Sequence, residues 1–177
     1  MKMKKISIIS LVILIIIILI CIFLFTNKHQ ISNAKDTQSG QVAKKTDFIG
    51  YWKSDNGKNI IKITEDSGKY TGTIVWLKDP LHTDGKPLTD GNNPDKINKE
   101  NPIIGLKILQ NFILNKDNEL DEGKVYDPES GNTYSGIVKI EGNNLNVRGY
   151  IGTSLLGRTE VWHKISNQSD LPSGLEK

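Results

Sequence analysis

Between Phe48 and Ile165 the chain is written as a series of eight short segments, near 48–53, 59–65, 69–78, 103–110, 119–126, 132–140, 144–151 and 157–165. Most alternate apolar with polar residues or are rich in β-branched and aromatic ones, the pattern of a strand with one face turned inward. The joints carry turn chemistry: Asp55-Asn56-Gly57, Asp66-Ser67-Gly68, Glu129-Ser130-Gly131 and Glu141-Gly142-Asn143-Asn144. These residue types accept the backbone angles that tight turns demand. No segment of helical period lies among them. The predicted fold is all-β, an antiparallel meander of eight strands. Closure into an up-and-down barrel is favoured over an open sandwich because it removes exposed edges. One connection breaks the rhythm. Residues 79–102 hold four prolines and several Asp, Asn and Gly. Loops of this length are uncommon and often functional, and a place over one mouth of the barrel is open to it.

The chain ahead of the strands has a different character. Residues 1–5 carry Lys2, Lys4 and Lys5, and residues 6–25 are apolar except for Ser7 and Ser10. Twenty helical residues span about 30 Å, the thickness of a bilayer's hydrocarbon core. A cleaved leader would have a shorter apolar region and small residues before the cut. Here the run ends in Cys21-Ile22-Phe23-Leu24-Phe25-Thr26. The expectation is therefore an uncleaved transmembrane anchor over 6–25. The lysines before it favour a cytoplasmic N-terminus and a domain on the periplasmic or extracellular side of the inner membrane, though Lys28, Lys35, Lys44 and Lys45 weaken that bias. Residues 26–46 read as a flexible tether, 47–166 as the folded domain and 167–177 as a disordered tail. Cys21 is the only cysteine, so no disulfide forms within the chain. It reads as a small apolar residue of the anchor, since Ile20 before it is larger than a lipidation site wants.

Charge follows the same division. Of the formal +3, the first 46 residues hold seven lysines and one Asp, whereas 47–166 hold 15 basic against 17 acidic residues. The excess of positive charge suits anionic headgroups. The domain itself has no basic face for nucleic acid.

Candidate site residues are few. Arg148 and Tyr150 lie on the polar face of their segment with Asn144 and Asn146, opposite Leu145, Val147 and Ile151. If the apolar face fills a barrel, they are solvated or salt-bridged. If the barrel holds a polar cavity, they bind an anionic head group. Tyr126 and Asp127 end a segment before Pro128, which suits a strand exit, and a catalytic role for Asp127 would need an acid or histidine partner. Trp76 and Trp162 sit mid-strand as core or wall residues, with ligand stacking the minority use of Trp76. Asp84, Asp90, Asn92, Asn93 and Asp95 make an oxygen-rich loop, but their spacing departs from the EF-hand pattern. His29, His82 and His163 are scattered without zinc spacing. No Gly-x-Ser-x-Gly elbow occurs, and the glycines at 149, 152 and 157 precede no helix that could make a dinucleotide loop. No catalytic set, no metal site and no cofactor is expected, so an enzyme ranks behind a binding or interaction role.

Two motifs carry a family resemblance: Gly123-Lys124-Val125-Tyr126-Asp127-Pro128-Glu129-Ser130-Gly131-Asn132-Thr133-Tyr134, and the stretch from Val147-Arg148-Gly149-Tyr150 through Gly157-Arg158-Thr159-Glu160-Val161-Trp162. With Gly50-Tyr51-Trp52, Asn93-Pro94-Asp95 and Pro102-Ile103-Ile104-Gly105-Leu106, they resemble bacterial domain of unknown function 2147, a family of uncharacterised envelope proteins with a lipocalin-like fold. The resemblance implies an architecture and a location but no activity. Where that family usually has arginines, this chain has Lys96, Asn98, Lys99 and Asn101. Gly50-Tyr51-Trp52 also looks like the Gly-x-Trp of lipocalin-type barrels, in which an arginine of the last strand lies over the tryptophan. The resemblance implies that role for Arg158, making Gly50, Trp52 and Arg158 structural. Two functional classes remain. One is a module that binds a small amphipathic molecule. The other is a non-enzymatic envelope interaction domain with a filled barrel.

Overall fold

The computed structural model describes residues 47–175. The proposed anchor at 6–25 and the whole of the tether at 26–46 lie outside them. Among the described residues no helix is long and apolar enough to cross a membrane.

Eight strands form one closed antiparallel barrel in chain order. They are β1 (Gly50–Ser54), β2 (Asn59–Asp66), β3 (Lys69–Leu77), β4 (Lys107–Leu114), β5 (Leu120–Asp127), β6 (Asn132–Glu141), β7 (Asn144–Tyr150) and β8 (Gly157–Ile165). β1 closes the ring by pairing with β8, Trp52 opposite Lys164 and Ser54 opposite Trp162. Strand order alone divides the connections between two ends. The β2–β3, β4–β5 and β6–β7 turns share one end with the start of β1. The β1–β2, β3–β4, β5–β6 and β7–β8 connections share the other. We call these the closed and open ends.

Seven strands lie within a few residues of the segments expected, and β4 is displaced. Its expected start, Ile103-Ile104-Gly105-Leu106, belongs to the returning limb of the long connection. There Leu106 O accepts from Ile74 N at 3.0 Å and Gly105 N donates to Ile74 O at 2.8 Å. β4 proper contains a left-handed residue, Asn111 at φ 58°. This local break in alternation brings Phe112 to the inside. The C-terminal segment, expected to be disordered from 167, carries a 3₁₀ turn over Gln168–Asp170 and buries Leu171 to 7% exposure.

Glycine makes room for the core. Phe112 is wholly buried, and its ring lies flat against two strands that lack side chains there. A Cβ on Gly123 would overlap the Phe112 ring, and one on Gly136 would stand 2.6 Å from its Cζ and from Val125 Cγ2. Gly123 and Gly136 are direct cross-strand partners. One aromatic ring thus occupies the space of two missing side chains. Around it pack Phe48, Trp52, Ile61, Ile63, Tyr70, Ile74, Leu109, Leu120, Val138, Leu145, Val147 and Trp162. Eight strands enclose an interior just wide enough for side chains to fill, and here they fill it toward the closed end. Trp52 seals that end. Its indole N–H donates to Phe48 O at 2.8 Å, and the Lys164 ammonium stands 5.1 Å from its ring centre.

Candidate functional site

The long β3–β4 connection is a built structure. Its buried anchor is Asp90, 0% exposed. One carboxylate oxygen accepts the Tyr126 hydroxyl at 2.7 Å. The other accepts Asn93 Nδ2 at 2.6 Å. The Asp90 amide donates to Asn101 O at 2.9 Å, clamping the two limbs of the loop together. A carboxylate out of water is costly unless hydrogen-bonded, and this one is bonded through both oxygens. Burial and the hydrogen bond and charge of Asp90 push the Tyr126 hydroxyl up to about 12, because each disfavours its anion.

The loop also docks at the open end. Asn92 Nδ2 donates to Glu129 O at 2.9 Å and lies 3.3 Å from Pro128 O. Gly131 sits under this contact with φ +72°, and a Cβ there would collide with Asn92 O. Only glycine meets both demands, the left-handed angle and the close approach. Val125 packs beside Gly136 and the Phe112 ring, so alternation puts Tyr126 on the outer wall. It is buried, yet it stands outside the core cluster. The loop that covers it therefore runs down the outside of the barrel and does not close the mouth.

Between this loop and the wall lies an open groove of about 590 Å³. Asn93, Pro94, Asn98, Asn101, Pro102 and Ile104 face it from the loop, and Lys107, Gln110, Tyr126 and Thr133 from the strands. Many of its amides are already engaged. Asn101 Nδ2 donates to Asn98 Oδ1 at 3.1 Å, and Gln110 Nε2 donates to Lys107 O at 2.9 Å. What remains for a ligand is the Lys107 ammonium, prolines, and the partly exposed Ile104 and Leu106. The lining is amphipathic.

Of the residues expected to bind a ligand, only Tyr126 reaches this groove. Arg148 braces the β7–β8 loop instead. Its Nε donates to Ser154 O at 2.6 Å, one terminal nitrogen to Thr159 Oγ1 at 2.9 Å and the other to Leu155 O at 3.3 Å. Tyr150 is half-buried at the end of β7, opposite Ser135 and Gly157. Asp127 is occupied by its own turn, accepting from Glu129 N at 2.9 Å and Ser130 Oγ at 2.7 Å. Trp76 is half-buried on β3 beside Ile60. The structural expectation for Gly50 and Trp52 lands at the closed end, where β1 begins. Arg158 lands elsewhere. It pairs with Gly149 near the open end, six residues or about 20 Å along β8 from Lys164. The cation over Trp52 is Lys164, whose position is dictated by strand register. The oxygen-rich loop residues serve the loop itself. Asp95 caps a 3₁₀ turn by accepting from Ile97 N at 3.0 Å. The Asp84 carboxyl is held below its usual range by hydrogen bonds from Lys86. Among the described residues no group of histidine, cysteine and acidic side chains could hold a metal.

A model of an uncharacterized protein family conserved in bacteria, domain of unknown function 2147, matches residues 50–164. The chain belongs to this family. It is also similar to a solved structure, protein HP1028 from the human pathogen Helicobacter pylori, described as belonging to the lipocalin family. The two share 20% identity with a TM-score of 0.58, over 69% of this chain and 85% of that one. At that identity the likeness establishes the lipocalin-like fold. No curated protein matches the chain significantly. Between Asn93-Pro94-Asp95 and Pro102, Asn98 and Asn101 are groove residues and Lys96 lies on the adjoining 3₁₀ turn.

Proposed function

We propose that this is a membrane-anchored, extracytoplasmic, non-enzymatic binding module. Its ligand is a small amphipathic molecule, held in the groove between the β3–β4 loop and the outer wall. The observation that carries this reading is the pairing of a barrel filled toward its closed end with a locked loop. Phe112 fills the barrel interior beside Gly123 and Gly136, while Asp90, Tyr126 and Asn93 hold the loop in one arrangement over a groove of ligand size. Pre-organisation of this kind lowers the cost of binding. Lys107 supplies a contact for a carboxylate or other anionic head, and Ile104 and Leu106 supply an apolar floor. With Lys107 as the cation among the lining side chains, the groove suits a ligand with one anionic head. Attachment through residues 6–25 and a domain facing the periplasm or the outside follow from the lysines and the apolar run.

The test is native mass spectrometry of the chain purified from its envelope, beside the Ile104→Asp/Lys107→Glu variant. A discrete extra mass on the parent chain, absent from the variant, is expected. A mass retained by the variant would place the ligand elsewhere. The competing reading, an interaction domain that holds no small molecule, is favoured if both chains are clean while cross-linking captures one protein on the loop 79–106.

A further inference from the structure

The β7–β8 loop presents an apolar tip. Ile151, Leu155 and Leu156 are 72%, 87% and 78% exposed. Soluble domains rarely keep three large aliphatic side chains so open on one loop without a use for them. The loop is also rigidly braced. Arg148 holds the carbonyls of Ser154 and Leu155, and Leu156 N donates to Thr153 O at 3.1 Å. Residues 151–156 are uncharged, and the acids Glu141 and Glu160 flank the segment that carries the two arginines. From Gly142 to Thr159 the charged residues are Arg148 and Arg158, with no acid among them. Arg158 is exposed at the foot of the loop. An aliphatic tip with an exposed arginine at its foot is complementary to a bilayer surface with anionic headgroups, where the aliphatic side chains enter the acyl boundary and the Arg158 guanidinium meets phosphates from the barrel mouth.

We propose that this loop inserts into the surface of the anionic membrane to which the chain is attached. The length of chain outside the described residues supports this occupant. The apolar run ends at Phe25 and the domain begins at Asp47, near the closed end, where Lys164 Nζ donates to Asp47 O at 2.6 Å. The 21 intervening residues reach roughly 70 Å when extended. The nine residues of β8 measure about 30 Å. The tether is therefore long enough to let the open end meet the surface while the chain stays anchored. The inference rests on the proposed attachment only for this reach.

The full chain, with Cys21→Ser and a spin label at Leu155→Cys, is reconstituted in phosphatidylethanolamine–phosphatidylglycerol vesicles. Labels at Ile97→Cys and Ser67→Cys serve as controls. The expected result is that the label at 155 becomes several-fold more accessible to oxygen than to a water-soluble nickel chelate, while both controls stay water-like. Deleting residues 30–43, or replacing Ile151 and Leu156 by Asp, should return position 155 to water-like values without changing the thermal melt. If the chain floats with the vesicles but position 155 stays water-like, the proposal is overturned. A label shielded from both quenchers, in vesicles or on addition of envelope protein, indicates a protein-docking loop and also overturns it. If vesicle flotation itself is lost on replacing the tip residues, the tip stands and the attachment through 6–25 fails.

Discussion

At the closed end of the barrel Phe48, Trp52 and Tyr70 are buried to 2% exposure or less. At the open end Ile151, Leu155 and Leu156 stand more than 70% exposed. The two ends use the same materials, β-strands and large apolar side chains, for opposite purposes. The closed end converts apolar area into stability, with the Phe48 and Tyr70 rings packed edge to face at 5.9 Å. The open end spends its hydrogen bonds on loops: Arg148 on one, Asp90 and Asn92 on the other. On the proposed function, stability and recognition are separated along the barrel axis. Changes at one end should leave the other largely intact.

The largest effect is expected from breaking the packed end. Phe112→Ala should cost about 3–5 kcal/mol, the range for a large buried aromatic. Gly136→Val should destabilise comparably by forcing the ring out of its place. Both are read as a thermal melt lowered by roughly 10–20 °C. A shift of only a degree or two for either would mean that the interior is loosely filled, and the contrast between the ends would fail.

Next comes the lock on the long loop. Asp90→Ala strands the Tyr126 hydroxyl and removes both acceptors, an effect of about 1–3 kcal/mol. It should show as rapid proteolysis within 79–106 while β-sheet circular dichroism persists. Unfolding of the whole barrel in step with the loop would contradict the separation. The same lock has a pH signature. Because the folded Tyr126 hydroxyl is raised from 10 to about 12, its contribution is fully present below pH 10 and is lost as pH rises toward 12. The melting temperature of Tyr126→Phe should therefore fall less than that of the parent between pH 10 and 12. Parallel curves for the two chains would remove this group from the account.

The smallest effect separates two cations of β8. Lys164→Ala should lower stability by about 0.5–1 kcal/mol through loss of the contact with Trp52, whereas Arg158→Ala should leave the melt unchanged. The reverse order would restore the arginine to the closed end.

These cations also show what could be read before the fold was known. Alternation and turn chemistry located the strands and the closed barrel, because one buried face and tight turns leave a period of two in the residues themselves. β4 was misplaced because Ile103-Ile104 imitates a strand, and only the backbone pairing of Leu106 and Gly105 with Ile74 reveals a returning loop. The lipocalin-type resemblance points to Arg158, yet the partner of Trp52 is set by register, which depends on how β1 meets β8 across more than a hundred residues. The sequence leaves Arg148 solvated, salt-bridged or facing an anionic head group, but its acceptors include carbonyls of a loop whose path no local pattern encodes. Asp90 stood out only as one oxygen donor among several. Its burial depends on the loop folding back over Tyr126. Local rules sufficed for the elements, and the groove arises from contacts between distant ones.

The proposed binding surface lies on the outer wall of the barrel, under the β3–β4 loop. Amide chemical shifts of the domain from Val42 onward, recorded while octanoate is added below its micellar concentration, test it most directly. Changes are expected to cluster at Asn98, Asn101, Ile104, Lys107, Gln110 and Thr133. Changes centred on inward-facing Val125, Val147 and Gly149, with the groove silent, would contradict it.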